Sequence, residues 1–442
     1  MMHQLLDDVA PLFSDEDLAL RFAEQHAHDL RYVSEISQWY WWDGKRWRPD
    51  TRLLGFNKAR KVCRAAAKEC NEAPHRLRNL ASARTVVAVE KLARADQRLA
   101  ATLDQWDADP WLLNTPDGVI DLRTGKRQSH RSSDHMTKMT AVGPDPECPT
   151  KTWLNFLRRV TNKDRALQDF LRRLSGYVLT GMTIEQALFF MYGPGSNGKS
   201  VFLETVSGLM GDYAQTSPIE TFTASAVDRH PTELARLHGA RLVTATETEE
   251  GRRWAESRIK QLTGGDRVPA RFMRQNFFEY VPQFKLIFAG NHKPGLRTVD
   301  VAIKRRLKMI PFGVVIPEDE RDKSLAKKLR IEWPGILASM IEGCTEWRRD
   351  GLKPPASVTG ATEEYFEQED MFTTWIEEEC ERQPGAFISR GDLFDSWSRW
   401  ANTAKEPPGS RPEFVRKLED HGFEEATRRG QRGVKGLQLR LK

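Results

Sequence analysis

An α/β core built on a mainly parallel sheet is the fold class this chain predicts, and three observations carry it. Residues Gly193-Pro194-Gly195-Ser196-Asn197-Gly198-Lys199-Ser200 spell the G-x-x-x-x-G-K-[ST] pattern of a phosphate loop. The apolar run Ala187–Tyr192 leads into that loop like a buried strand, and the helix-like stretch Val201–Met210 leaves it. Two more apolar runs, Arg241–Thr246 and Phe284–Ala289, lie downstream, an alternation of strand and helix that builds a parallel sheet.

The chemistry of each element comes from its residue types. Glycines let backbone N–H groups close on phosphate oxygens, and the helix N-terminus adds partial positive charge. Lys199 is expected to reach the β- and γ-phosphates of ATP, and Ser200 to hold Mg²⁺. A carboxylate at the end of a neighbouring strand is needed to complete the metal site and polarise water. Glu247, directly after Arg241–Thr246, fills that role, with Glu249 as the second choice. Asn291 ends the Phe284–Gly290 run, where an amide can orient the attacking water or sense the γ-phosphate.

Between these runs, Leu262–Phe278 reads as a helix end, a glycine turn and a hairpin. Arg274 and Gln275 stand near its tip, suited to the phosphates or sugars of a single strand, with Arg271 on its arm. Ala302–Phe312 sets the basic cluster Lys304-Arg305-Arg306 before an apolar strand. An arginine offered from there to the γ-phosphate held by a neighbouring subunit would stabilise transition-state charge, and that requires a ring.

A length of 442 residues is too great for one compact core, and three regions are expected: 1–150, 151–350 and 351–442. The first is a mixed α+β domain. It holds the helical segment Glu16–Ala27, an aromatic hairpin over Trp39–Trp47, a long basic helix over Leu77–Leu103, and short strands joined by the Pro116-Asp117-Gly118 turn. The Trp39–Trp47 rings fit a hairpin core better than a stacking platform for bases. A break at Gly351–Ser357 precedes short amphipathic helices and a tail hairpin with the basic tip Arg428–Lys435, which fit a small winged-helix-like domain.

Composition narrows the classes further. The net charge of +6 and pI of about 9.0 are compatible with nucleic acid without being diagnostic. No apolar run reaches the length of a membrane span, and the N-terminus lacks a secretory leader, so no membrane partner is expected. Cys63, Cys70, Cys148, Cys344 and Cys380 form no C-x-x-C pair, which argues against a disulfide scaffold or zinc module.

The ordered series Gly193–Ser200, Glu247, Leu262–Asp266 with Arg271–Arg274, Asn291 and Arg306 resembles superfamily 3 helicases. Within them the chain is similar to the phage and plasmid primase-helicase family, with poxvirus primase-helicases as relatives. Leu262-Thr263-Gly264-Gly265-Asp266 is similar to a hallmark of that branch, as are Leu113–Gly118 and Asp121–Gly125 within Trp106–Gly125. The resemblance implies an AAA+-like P-loop ATPase core in a homo-hexameric ring. Such a ring moves along single-stranded or forked DNA by hydrolysing ATP at subunit interfaces.

By position, Arg306 matches the family's arginine finger with Arg305 as the near alternative, Arg274 and Gln275 match its DNA-contacting tip, and Arg271 faces either the DNA or the neighbour's phosphate. No strand with an Asp-x-Asp pair in an apolar setting is found before the core, so primer synthesis is expected from a separate primase or other replication proteins. Phage or plasmid replication places the protein in a bacterial host cytoplasm. The alternative reading is an ATP-regulated origin-binding or replication-assembly protein that does not unwind. A small-molecule phosphotransferase would leave the Glu247, Asn291 and Arg306 series without a purpose.

Overall fold

The computed structural model describes residues 10–71, 73–224, 232–246, 252–273, 277–296, 299–369, 371–404, 407–428 and 430–440. Ser14 starts helix α1 (Asp15–His26) by accepting the Asp17 amide, and Leu18 and Phe22 turn one face inward. Strand β1 (Leu30–Val33) pairs antiparallel with β2 (Gln38–Trp42), and the Asp43–Arg46 turn leads into β3 (Trp47–Pro49). Helices α2 (Leu54–Glu69), α3 (Pro74–Leu80) and α4 (Ala83–Ala93) come next. Strand β4 (Ala100–Ala101) then joins β1 in parallel, giving the order β3-β2-β1-β4.

The single helix expected over Leu77–Leu103 is therefore wrong. Ser82 takes an extended conformation and its hydroxyl accepts the Thr85 amide, which starts a new helix at Ala83. The aromatic hairpin is core, as its composition suggested: Trp39 and Trp47 are buried with Trp106, and Tyr40 stacks on Trp106 at 4.8 Å. The Trp39 indole donates to Glu90 Oε1 at 2.5 Å, and Arg94 grips both oxygens of that buried carboxylate. Strands β5 (Leu112–Thr115), β6 (Gly118–Asp121) and β7 (Lys126–Gln128) form an antiparallel meander that ends the region.

Helices α5 (Lys151–Val160) and α6 (Arg165–Val178) open the second region, ahead of β8 (Leu188–Tyr192), α7 (Lys199–Met210), β9 (Ala214–Thr216) and α8 (Thr232–Ala235). Next come β10 (Leu242–Thr246), α9 (Glu256–Gly264), the hairpin of β11 (Val268–Ala270) and β12 (Phe278–Tyr280), β13 (Lys285–Gly290), α10 (Val301–Arg306) and β14 (Leu307–Pro311). Five strands make one parallel sheet in the order β14-β8-β13-β10-β9.

Its residues alternate between two cores. Phe189, Met191, Ile287 and Ile310 face α5, α6, α7 and helix α12 (Trp333–Asp350), which is preceded by α11 (Leu325–Ile331). Leu188, Phe190, Leu286, Phe288 and Met309 face the other side, with α9 and helix α13 (Ala356–Glu369). Both faces of a parallel sheet must be covered, which explains the uninterrupted apolar strands. Cutting Phe189 or Phe190, both fully buried, to alanine would cost about 3–5 kcal/mol. The Gly351–Ser357 break does not release the downstream chain from the sheet, because the Thr362 hydroxyl of α13 accepts the Met309 amide of β14 at 3.0 Å.

The opposite end of this sheet is sealed by two buried cations. Arg241 donates to Leu112 O and Leu179 O and lies over the Tyr213 ring. Lys285 donates to the Thr180, Met182 and Gln283 carbonyls, and burial drives its pKa far below the ordinary lysine value. The Arg241 bond to Leu112 O ties the first region to the sheet, and the Lys285 bonds hold the end of α6 and the loop after it. The tail holds α14 (Met371–Glu379), β15 (Cys380–Ser389), α15 (Arg390–Thr403), α16 (Arg411–Asp420), β16 (Glu425–Arg428) and β17 (Gln431–Leu439). Three helices pack on a sheet of order β15-β17-β16 around Trp375, Leu393, Trp397 and Phe414.

Candidate functional site

The site begins where β8 ends. Gly193 leaves the strand at φ +147°, and a Cβ there would lie 2.1 Å from the Phe312 carbonyl oxygen. Gly198 turns into α7 at φ +88°, where a Cβ would meet Val160 Cγ1 at 2.5 Å. Glycine is required at both points by conformation and by space. Between them the loop is braced against the chain leaving β14. The Asn197 amide donates to Phe312 O at 2.7 Å, and Ile316 N donates to Ser196 O at 2.9 Å. Ser196 itself sits at φ +60°, a left-handed conformation that the bracing maintains.

Helix α7 starts directly at Lys199, with Gly198 as its cap and Ser200 exposed in its first turn. Backbone N–H groups of that turn lack intrahelical partners and point toward the loop, an arrangement that favours anions. The Lys199 side chain turns back over the loop, 6% exposed. Its ammonium donates to Gly193 O (2.7 Å), Pro194 O (3.2 Å), Asn197 Oδ1 (3.0 Å) and Asn291 Oδ1 (3.1 Å). All four are neutral oxygens, and burial lowers the lysine pKa. A half-desolvated cation held only by dipoles is a strong electrostatic attractor for phosphate.

Asn291 arrives through sheet register. Strand β13 pairs Ala289 with Met191 and Gly290 with Tyr192, so the residue after it emerges beside the loop. Strand β10 pairs Thr246 with Ala289, so it ends at the same edge of the sheet. Glu247 and Glu249 come next in the chain and lie outside the described residues, as do Arg274 and Gln275 at the β11–β12 tip. Among the described residues no group of three or more His, Cys, Asp or Glu could hold a metal. Of the two expected Mg²⁺ ligands, Ser200 is described.

Three expected residues remain. Arg271 lies on the arm of the β11–β12 hairpin with its guanidinium over the Phe277 ring at 4.6 Å. Arg305 and Arg306 end α10, which Asp300 caps by accepting the Ile303 amide. Arg306 is buried, 6% exposed, and donates to Thr263 Oγ1 (3.1 Å) and Ala302 O (2.9 Å). Burial lowers its pKa, the adjacent Arg305 adds to the fall, and Asp300 and Asp266 oppose it. Arg305 is exposed.

The bracing through Phe312 and Ile316 and the Lys293 ammonium 4.2 Å over the Tyr192 ring were not foreseen. Only tertiary structure brings those segments to the loop. Motif spacing carries no signal for them.

Comparison with known proteins adds independent information. Residues 19–162 match a family model described as "D5 N terminal like", and residues 191–306 match a "Family of unknown function (DUF5906)". The chain is 26% identical over 321 residues to "Putative helicase L207/L206" of Acanthamoeba polyphaga mimivirus, covering 66% of this chain and 33% of that protein. It is 27% identical over 270 residues to "Putative helicase 022R" of Frog virus 3, covering 56% of this chain and 27% of that protein. The chain thus spans about a third of the length of the curated relatives it matches.

The solved C terminal region of NrS-1 (305–718) superposes with a TM-score of 0.52 at 9% identity, over 96% of this chain and 99% of that one, which is a likeness of fold. The named relatives come from viruses of eukaryotes and lend no support to a bacterial host. No helix among the described residues is long and apolar enough to cross a membrane.

Proposed function

The chain belongs to the D5-like primase-helicase family, and on that premise we propose that it is an ATP-dependent DNA helicase that translocates on single-stranded DNA as a ring. The observation that carries the reading is the contact between Lys199 and Asn291. Two residues 92 positions apart, selected for one chemistry, meet at 3.1 Å at the rim of a glycine loop. The sheet order, with the loop after β8 and β13 between β8 and β10, supports an AAA+-like P-loop core.

The residues present fit a nucleoside triphosphate. The loop from Gly193 to Ser200 leads into the unpaired backbone N–H donors at the start of α7, and glycine at 193 and 198 lets it pack against Phe312, Val160 and Phe156. Lys199 has no carboxylate among its hydrogen-bond partners in the described residues, so its charge is available to phosphate oxygens. Ser200 and Glu247 would hold Mg²⁺, which when bound neutralises charge on the phosphate oxygens. Asn291 orients the attacking water or reports the state of the γ-phosphate to β13, and Glu247 accepts a proton from that water.

At a subunit interface one guanidinium must be presented outward. Arg305 is exposed, whereas Arg306 would first have to leave Thr263 and Ala302. In this reading Arg305 reaches the neighbour's phosphate while Arg306 fixes the end of α10 against α9. The hairpin tip, with Arg274 and Gln275, grips the strand, and Arg271 supports it from the arm. A separate primase polypeptide or other replication proteins would supply primers.

Hydrolysis of ATP with and without single-stranded DNA, alongside a sizing measurement, tests the reading. DNA-stimulated turnover by a ring-sized assembly supports it, and a monomer indifferent to DNA rejects it. The tail favours a second reading. Its helices and the β15-β17-β16 sheet fit a winged-helix-like domain whose hairpin ends near Arg428 and Arg432, suited to an ATP-regulated origin-binding or assembly protein. Strand separation by the purified protein would exclude that alternative.

A further inference from the structure

Charge is distributed very unevenly along this chain. Residues 54–94, spanning α2, α3 and α4, contain ten Lys and Arg against three Asp and Glu, a balance of +7, while the whole chain carries +6. The remaining residues are therefore close to neutral in sum. On α2 the buried positions Ala59, Val62, Cys63 and Ala66 face the core with α1 and α4, and the opposite face is exposed.

That outer face carries Arg60, Arg64 and Lys68 at intervals of four, with Lys61 three residues before Arg64, all exposed and sharing one stripe about 12 Å long. None of the four makes an ion pair with a described residue. Glu69 is engaged by Arg21 at 2.9 Å. Exposed helices usually interleave opposite charges at this spacing, and like charges at i, i+4 destabilise. A stripe without such relief presents its positive charge to an external anion. Arg84 and Lys91, exposed on the neighbouring α4, add to the positive charge of this helical unit.

We propose that the outer face of α2, supplemented by the cations of α4, is a docking surface for the phosphate backbone of duplex DNA. It is a second nucleic-acid site, separate from the sheet edge and independent of nucleotide. Charge complementarity selects a polyanion, and the absence of ring platforms selects a duplex. Sites for single strands combine basic residues with aromatic side chains on which bases stack. Within 54–94 the only such ring besides His75 is Phe56, which packs against the core. A row of guanidinium and ammonium groups on a rigid helix meets phosphates and reads no bases, so binding is indifferent to sequence.

The test uses the full chain without nucleotide, with binding to a labelled duplex and to a single strand of equal length measured across a salt series. The variant Arg60→Gln/Lys61→Gln/Arg64→Gln/Lys68→Gln keeps helix-compatible side chains at exposed positions, and thermal unfolding checks its fold. Each phosphate contact removed should flatten the log–log salt dependence for duplex by about 0.9, hence by about 3 to 4 for all four. Duplex affinity should fall at least tenfold near 0.1 M salt, with basal ATP hydrolysis unchanged. Arg84→Gln/Lys91→Gln should reproduce part of the loss. Unchanged duplex affinity and slope in both variants overturns the proposal, as does a loss confined to the single strand.

Discussion

Replacing Gly198 by alanine puts a methyl group 2.5 Å from Val160 Cγ1 and 2.9 Å from the Phe156 ring, with the backbone at φ +88°. Holding an L residue in the left-handed region costs about 1–2 kcal/mol. Forcing a methyl into packed side chains, one of them β-branched, costs about 1–3 kcal/mol more. A total of about 2–5 kcal/mol corresponds to a fall of about 5–15 °C in Tm for a domain of this size.

Gly193→Ala should do at least as much damage. Its Cβ meets the Phe312 carbonyl, a backbone group that already accepts the Asn197 amide and cannot retreat without breaking that brace. Gly195, in the same loop, has nothing within 4 Å of its would-be Cβ and no left-handed φ, so Gly195→Ala should shift Tm by less than about 2 °C. Thermal unfolding of the three variants, monitored by tryptophan fluorescence, separates them. Equal Tm values for Gly195→Ala and Gly198→Ala would refute the claim that the loop is shaped by Val160, Phe156 and Phe312.

The two arginines ending α10 should part company. Arg305→Ala should lower turnover by about 10³-fold or more with Tm unchanged, while Arg306→Ala should lower Tm through the lost Thr263 and Ala302 bonds; hydrolysis assays and melting curves on both variants decide. Asn291→Ala should leave the fold intact and slow hydrolysis, a result that turnover and circular dichroism together check. His238, edge-on to Tyr280 at 5.3 Å, has its pKa pushed down to about 4 chiefly by burial, against 6.5 in the unfolded chain. Between pH 6.5 and 4 the unfolded state binds a proton that the folded state refuses. Stability should therefore fall through that window by about 2–3 kcal/mol, allowing for the ring's partial exposure, and His238→Phe should flatten that part of the pH–Tm curve.

The parts of the site written in contiguous residues were legible in the sequence. The strand before Gly193, the glycine loop and the start of α7 at Lys199 come from local pattern, and strand ends placed Asn291 because parallel register carries it beside the loop. The features that could not be read depend on packing between distant segments. Whether Arg305 or Arg306 faces outward is decided by Thr263 on α9, 43 residues upstream of Arg306. The split of the expected helix over Leu77–Leu103 did have a local signal, since Ser82 is a good helix cap, but the apolar periodicity on either side concealed it. The α2 stripe carries no local signal, because its cations share one face only once the buried positions Ala59, Val62, Cys63 and Ala66 fix the other.

The central claim is that Lys199, the glycine loop and the acid after β10 serve one triphosphate, and an ATP titration with parallel turnover measurements tests it most directly. Lys199→Ala should weaken nucleotide binding and abolish hydrolysis, while Glu247→Gln should bind nucleotide at near-parental affinity and fail to hydrolyse it. Parental binding and turnover in Lys199→Ala would contradict the account.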